Sequence, residues 1–136
     1  MKYTLLAIVG FVIFCIIKAA KRASGGTRHL RYCRERFNEL CGQGCSEREA
    51  LITISKERHP ELDDQIHQKI VNKWPDVHRL AIFIHSALDF RLPWQQGYGG
   101  KLSNEKAEAL IEHTTITESG RVNTNWGAVK EKLQRT

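Results

Sequence analysis

The chain begins with an unbroken apolar run. Residues 3–17, YTLLAIVGFVIFCII, contain no charged side chain. Because the long side chain of Lys18 can carry its ammonium group past an apolar zone, the run extends from Tyr3 to Ala20. At about 1.5 Å per residue this segment gives roughly 27 Å of helix, close to the ~30 Å hydrocarbon core of a bilayer. The pattern therefore predicts a single transmembrane helix.

A cleaved secretory signal has an apolar core of similar length, so the flanking residues decide between the two interpretations. Here the run continues directly into Lys18, Lys21 and Arg22, and no small-x-small pair precedes a plausible cleavage site without a Lys or Arg beside it. The bulky Phe14 before Cys15 also argues against a lipoprotein cleavage site. We favour an uncleaved anchor over a signal peptide, with a buried helix of a soluble fold as the third alternative.

Beyond the anchor, apolar residues recur at helical spacing along most of the chain. Gly42–Gly44 ends the first of these helices, Ser46 and Glu49 form a capping box for the second, and Ser103 can cap a later one. The residues predicted to face inward include Leu30, Cys33, Phe37, Leu40, Ala50, Leu51, Ile54, Leu62, Ile66, Ile70, Trp74, Leu110, Ile111, Val129 and Leu133. Residues 80–84 are apolar on more than one side, which predicts the centre of the core.

These elements predict a mainly α fold, in which an N-terminal single-pass transmembrane helix precedes a small bundle of about six short helices. The predicted organisation is an anchor with a basic inner flank at residues 1–22, a short hinge at 23–27 and a small helical cytoplasmic domain at 28–136. Ser24-Gly25-Gly26 is the basis for the hinge. For residues 114–124 we favour an irregular connection over a short β-hairpin.

Charge is distributed very unevenly along the chain. Residues 1–36 contain eight basic side chains and one acid, whereas residues 37–136 contain 13 basic and 14 acidic ones. The net charge of +6 therefore belongs to the segment that flanks the apolar run. By the positive-inside rule, the N-terminus lies outside and the C-terminal domain lies at the cytoplasmic face.

The same distribution bears on ligands. Basic residues next to a membrane span attract anionic lipid headgroups, by about 1 kcal/mol per residue. The residues expected to do so are Lys18, Lys21, Arg22, Arg28 and Arg31. Nucleic acid is disfavoured as a partner, because its binding proteins carry their basic patch on the folded domain.

Three cysteines and a histidine form a candidate metal site near the start of the domain. His29, Cys33, Cys41 and Cys45 have the spacing H-x3-C-x7-C-x3-C, and these residue types are ligands for zinc or an iron–sulfur cluster. Structural zinc sites usually use two short Cys-x(2–4)-Cys pairs, and only Cys41–Cys45 resembles one. Two alternatives remain, a redox pair at Cys41–Cys45 and cysteines that simply pack on an apolar helix face.

The histidines offer a second candidate constellation. His59 and His67 flank Asp63 at spacing four, and His78, His85 and Asp89 recur at spacings of seven and four. Each set can share one helix face, as ligands for a metal between helices would. The Glu-x-x-His pairs typical of di-metal bundles are missing from suitable positions, so ordinary surface or hydrogen-bonded histidines are the favoured interpretation.

No catalytic signature is present in the sequence. It lacks a G-x-S-x-G elbow, a P-loop, a dinucleotide fingerprint and an H-E-x-x-H motif. A glycine-rich loop, PWQQGYGG, carries Trp94 and Tyr98, and aromatic residues on such loops are typical of binding surfaces. With Trp126 they are the candidate partner-binding residues, although packing against the core is the alternative for all three.

These observations favour a non-enzymatic function. We expect a membrane-anchored adaptor or accessory subunit, whose partner is a membrane protein complex or another membrane-associated protein. The alternative is a membrane-bound metal or redox protein that uses His29, Cys33, Cys41 and Cys45. A hydrolase without a recognisable motif is a third interpretation.

Overall fold

The computed structural model describes the backbone of residues 2–89 and 102–135, with all side chains in these ranges except those of residue 2 and residues 18–25. The described protein is mainly helical, as the sequence predicts. In chain order its elements are α1 (Lys2–Gly42), α2 (Glu47–Arg58), α3 (Asp64–Lys73), α4 (Val77–Phe83), a π-helical turn (Ile84–Leu88), α5 (Asn104–His113), β1 (Thr114–Ile116), β2 (Val122–Thr124) and α6 (Trp126–Arg135).

The N-terminal part of α1 has its apolar side chains exposed. Every residue from Tyr3 to Ile17 is exposed. The large apolar residues among them are Tyr3, Leu5, Leu6, Ile8, Val9, Phe11, Val12, Ile13, Phe14, Ile16 and Ile17. Within the described residues, no helix combines the length and the apolar character that a membrane crossing requires.

α1 continues as one helix of 41 residues through the segment predicted to be a hinge. A glycine in a helix interior costs about 1 kcal/mol relative to alanine, which is why Gly25 and Gly26 suggested a break. In the structure Gly26 lies beside His85. A β-carbon at Gly26 would lie 3.4 Å from Nε2 of His85, an ordinary van der Waals contact.

The C-terminal end of α1 lies where the sequence predicts it. Gly44 has a φ of +99°, a conformation that glycine adopts without a steric penalty. The Cys45 amide donates to the Leu40 carbonyl at 3.1 Å, and the Gly44 amide donates to the Cys41 carbonyl at 3.1 Å. These two bonds form a Schellman cap. The chain then reverses into α2, which begins with the predicted capping box of Ser46 and Glu49.

The core lies between the second half of α1 and helices α2 to α5. Leu80, Phe83 and Ile84 are completely buried, which confirms the centre predicted at residues 80–84. Trp74, at the end of α3, stacks on Phe83 with ring centroids 4.3 Å apart. The buried aromatic pair joins the end of α3 to the end of α4.

The prediction of an irregular connection at residues 114–124 was wrong. β1 and β2 pair antiparallel, with Thr114 opposite Thr124 and Ile116 opposite Val122. Buried Ile116 attaches the hairpin to the core, and Gly120 in its turn has a φ of +91°. The β-branched run at residues 114–117, before Ser119-Gly120, was the strand signal in the sequence, but two three-residue strands are too short to be distinguished from a loop by pattern alone.

Candidate functional site: a buried histidine–aspartate cluster

Six polar side chains meet where α1, the end of α2 and the π-helical turn come together. We call this group the His–Asp cluster. Its members are His29 and Cys33 from α1, Arg58 and His59 from the end of α2, and His85 and Asp89 from the π-helical turn. His29, Cys33 and His59 are buried, and His85 and Asp89 are half-buried.

The π-helical turn positions His85, which lies within it, and Asp89, which follows it directly. The Asp89 amide donates to the Ile84 carbonyl at 2.8 Å, a bond that spans five residues instead of the four of an α-helix. The apolar residues of the turn, Ile84, Ala87 and Leu88, are buried in the core. His85 and Asp89 therefore lie on the opposite side, toward α1 and the end of α2. Single π-helical turns occur often at functional sites.

His29 is held in one orientation by a backbone contact. Its Nε2–H donates to the Ala81 carbonyl at 3.1 Å, and Sγ of Cys33 lies 3.6 Å from the same nitrogen. Its ring stacks on that of His85, with centroids 5.4 Å apart and planes inclined by 27°. Burial lowers the pKa of His29, and the positive charge of Arg58 lowers it further. His29 is therefore neutral at pH 7, with its proton on Nε2.

His59 and Arg58 both bind the Asp89 carboxylate. Nε2 of His59 donates to Oδ1 of Asp89 at 2.7 Å, and its Nδ1 donates to Oε1 of Glu61 at 3.0 Å. Arg58 donates to Oδ2 of Asp89 at 2.8 Å and 3.2 Å. Burial alone would lower the pKa of His59, but its hydrogen bonds to Asp89 and Glu61 outweigh this effect and raise the pKa.

The Asp89 carboxylate is stabilised in its charged form. Burial would raise the pKa of Asp89, but the hydrogen bonds from His59 and Arg58 have the larger combined effect and lower it. A half-buried carboxylate thus stays ionised next to two imidazole rings. One potential ligand atom from each of His29, His85 and Asp89 lies within 4.8 Å of the other two.

The structure brings together two of the four residues predicted as a metal site. His29 and Cys33 are in contact, but Cys41 lies eight residues further along α1, about 12 Å along the helix axis. Cys41 and Cys45 flank the Schellman cap, which explains their spacing without a metal. All four cysteines are free thiols. Burial raises the pKa of Cys33 to about 11, so this residue is protonated at pH 7.

The histidine sets seen in the sequence are combined differently in the structure. His59 pairs with Asp89 rather than with Asp63. His67 is completely buried, and its Nδ1 lies 2.6 Å from Oγ of Ser55. The spacing of His85 and Asp89 was a usable signal. No sequence signal indicated that Arg58 contacts Asp89 or that His29 contacts Ala81. These partners are separated by 31 and 52 residues of sequence.

The other predicted site residues are distributed as follows. Trp94 and Tyr98 lie outside the described residues, as do the side chains of Lys18, Lys21 and Arg22. Trp126 is half-buried at the start of α6 and packs against the core. This position agrees with the alternative of core packing. The side chains of Arg28 and Arg31 are exposed on α1.

Comparison with known proteins identifies no relative. No family model matches the chain, and no curated protein or solved structure is similar to it.

Proposed function

We propose that this protein is a non-enzymatic adaptor or accessory subunit, anchored in a membrane by the first part of α1 and holding its helical domain at the cytoplasmic face. One observation carries the proposal. Eleven large apolar side chains between Tyr3 and Ile17 are exposed. They are distributed around the whole helix, and a helix that is apolar on all sides is normally covered by protein or by lipid.

The free energy favours a lipid environment for this segment. Burying a large apolar side chain gains about 1.5–3 kcal/mol, so eleven such residues gain on the order of 10 kcal/mol or more. Ile17 is the last residue of the apolar run whose side chain the structure describes. In the sequence the run extends further, to Ala20. The basic residues that follow favour retention of the domain on the cytoplasmic side.

The domain also offers an open surface that a partner could contact. A groove of about 460 Å³ between α3 and α5 is open to solvent. Nζ of Lys69 and Oε1 of Glu108 pair there at 3.0 Å, and Lys73 donates to the Ile111 carbonyl. The polar groups of this groove therefore satisfy each other. Tethering would raise the domain's effective concentration near a membrane partner.

The anchor is tested by extracting membranes that contain the full chain with alkaline carbonate. We expect the wild-type protein to stay in the pellet and to be released only by detergent. Val9→Asp/Ile13→Asp should release it, because each charge in the apolar run costs about 2.5–3.5 kcal/mol. Arg28→Gln/Arg31→Gln is the matched control, since it changes two exposed charges outside the run. Extraction of the wild-type protein by carbonate would refute the anchor.

The adaptor function is tested by purifying the tagged full chain in mild detergent and identifying co-purifying proteins by mass spectrometry. A stoichiometric membrane-associated partner is expected. Trp94→Ala/Tyr98→Ala should lose the partner while the protein stays in the membrane. Trp126→Ala, which removes a core contact, serves as a control for general destabilisation. A chain that purifies alone from carbonate-resistant membranes would refute the adaptor function and leave the anchor intact.

A further inference from the structure

We propose that His29, His85 and Asp89 form a binding site for a divalent transition-metal ion of the zinc class. The three residues come from two elements, α1 and the π-helical turn. A ligand atom of each lies within 4.8 Å of the others. Two imidazole nitrogens and one carboxylate oxygen form the donor set of many zinc sites that keep one coordination position open.

The hydrogen bonds of these residues are those expected around metal ligands. A metal-binding histidine usually donates its other ring N–H to a carbonyl or carboxylate, which fixes its orientation. His29 does this through Nε2 and the Ala81 carbonyl, at 3.1 Å. Its Nδ1 therefore carries a lone pair. Asp89 is held in the same way by His59 and Arg58, which bind one oxygen each.

The backbone brings α1 against one of the ligands. An added β-carbon at Gly26 would be in ordinary van der Waals contact with Nε2 of His85, 3.4 Å away, so α1 lies directly beside this ring. The π-helical turn holds His85 and Asp89 on the side facing α1, while its apolar residues are buried in the core. Core packing thus holds the elements that carry the ligands, and side-chain adjustment draws the three ligand atoms together when a metal binds.

The charges around the site select the class of metal. Mg²⁺ and Ca²⁺ require several oxygen ligands, and this site offers a single carboxylate that already binds Arg58 and His59. Affinity must therefore come mainly from the two imidazole rings. Zinc and its neighbours in the transition series bind imidazole well. The fourth position is left for water or for a ligand group supplied by a partner.

The test is calorimetric titration of Zn²⁺ into the full chain in detergent micelles, after treatment with a chelator. We expect one equivalent to bind. His85→Gln should weaken binding by at least about 10- to 100-fold, the loss typical of a removed supporting contact. His78→Gln is the matched control, because His78 is a half-buried histidine one helix earlier, and it should bind like the wild type. Cys41→Ser/Cys45→Ser should also bind normally.

Three results would overturn the proposal: no zinc binding by the wild-type chain, undiminished binding by His85→Gln, or loss of binding in Cys41→Ser/Cys45→Ser. A spectrum of the wild-type protein with Co²⁺ gives a test that needs no variant. The assigned donors contain no thiolate, so the thiolate-to-cobalt charge-transfer band should be absent. A strong band of this kind would show that cysteines bind the ion and would refute the site.

Discussion

Nε2 of His59 donates a 2.7 Å hydrogen bond to Oδ1 of Asp89 and so connects the end of α2 to the π-helical turn. Both side chains are mostly buried, with 10% and 19% of their surfaces exposed. Arg58, at the last position of α2, binds the other carboxylate oxygen. Asp89 therefore joins two consecutive residues, the last residue of α2 and the one that follows it, to the opposite side of the cluster.

Replacing Asp89 with asparagine should destabilise the fold. The change removes the negative charge that faces Arg58 and His59, and hydrogen bonds to charged groups contribute about 1.5–3 kcal/mol. We expect a loss of about 2 kcal/mol in the free energy of unfolding, measured with urea in the presence of a chelator. Glu61→Gln is the control and should cost less, because Glu61 is more exposed. Equal losses for the two variants would contradict the central role of Asp89.

His67 should make the fold less stable in mild acid. Burial lowers the pKa of His67 below 6.5, and the positive charge of Lys56 lowers it further, against the opposing effects of nearby backbone groups and Asp64. The unfolded chain therefore binds a proton at a higher pH than the folded protein does. This contribution to stability is complete above about pH 6.5 and is lost as the pH falls from there toward the folded-state pKa.

The measurement is urea unfolding of the wild type and of His67→Gln between pH 8 and pH 5. Glutamine does not titrate and can still hydrogen bond to Ser55. The wild type should lose more stability than the variant on acidification, by about 1.4 kcal/mol for each unit by which the pKa is lowered. Parallel pH profiles for the two proteins would show that His67 is not the titrating group.

Gly120→Ala should destabilise the hairpin. Its φ of +91° disfavours a side chain, typically by about 1–2 kcal/mol. A β-carbon there would also lie 3.0 Å from both His78 and Ile82. Gly127→Ala is the matched control: Gly127 is helical and its nearest side-chain atom, in Asn125, is 3.6 Å away. That variant should be as stable as the wild type or up to about 1 kcal/mol more stable, and a reversed order in thermal unfolding would contradict the prediction.

The proposed orientation predicts the outcome of protease protection in intact cells. A C-terminal tag should resist external protease, and an N-terminal tag should be digested. Lys18→Gln/Lys21→Gln/Arg22→Gln should increase the inverted fraction, because these residues supply the charge bias next to the run. Lys130→Gln, far from the run in sequence, should change nothing. Digestion of the C-terminal tag in the wild-type protein would reverse the assigned topology.

Much of the fold could be predicted because its signals are local. The capping box of Ser46 and Glu49, the Ser103 cap and the glycine-terminated end of α1 all form as expected. Each depends on residues within about five positions of one another, so the sequence contains the whole interaction. Residues 80–84 were recognisable as the core centre because apolar residues on several faces of a short helix require neighbours on all sides.

The sequence and the structure differ where distant contacts outweigh local preference. Two adjacent glycines suggested a hinge, yet α1 continues through them. The cysteine spacing suggested four clustered ligands, whereas Cys41 and Cys45 flank the cap of α1, away from His29 and Cys33. Local patterns report what a segment prefers on its own, and neither the approach of another helix nor a partner 50 residues away contributes to them.

The sequence by itself determined the helical class, most helix ends, the concentration of charge near the N-terminus and the apolar run. These properties follow from composition and from spacings of a few residues. Only the tertiary structure decided which polar groups meet. His29 is brought to His85 and Asp89 because α1 packs along α4, and Arg58 and His59 reach Asp89 because α2 ends beside the π-helical turn. Such a cluster depends on the packing of three elements, whose relative positions no local pattern specifies.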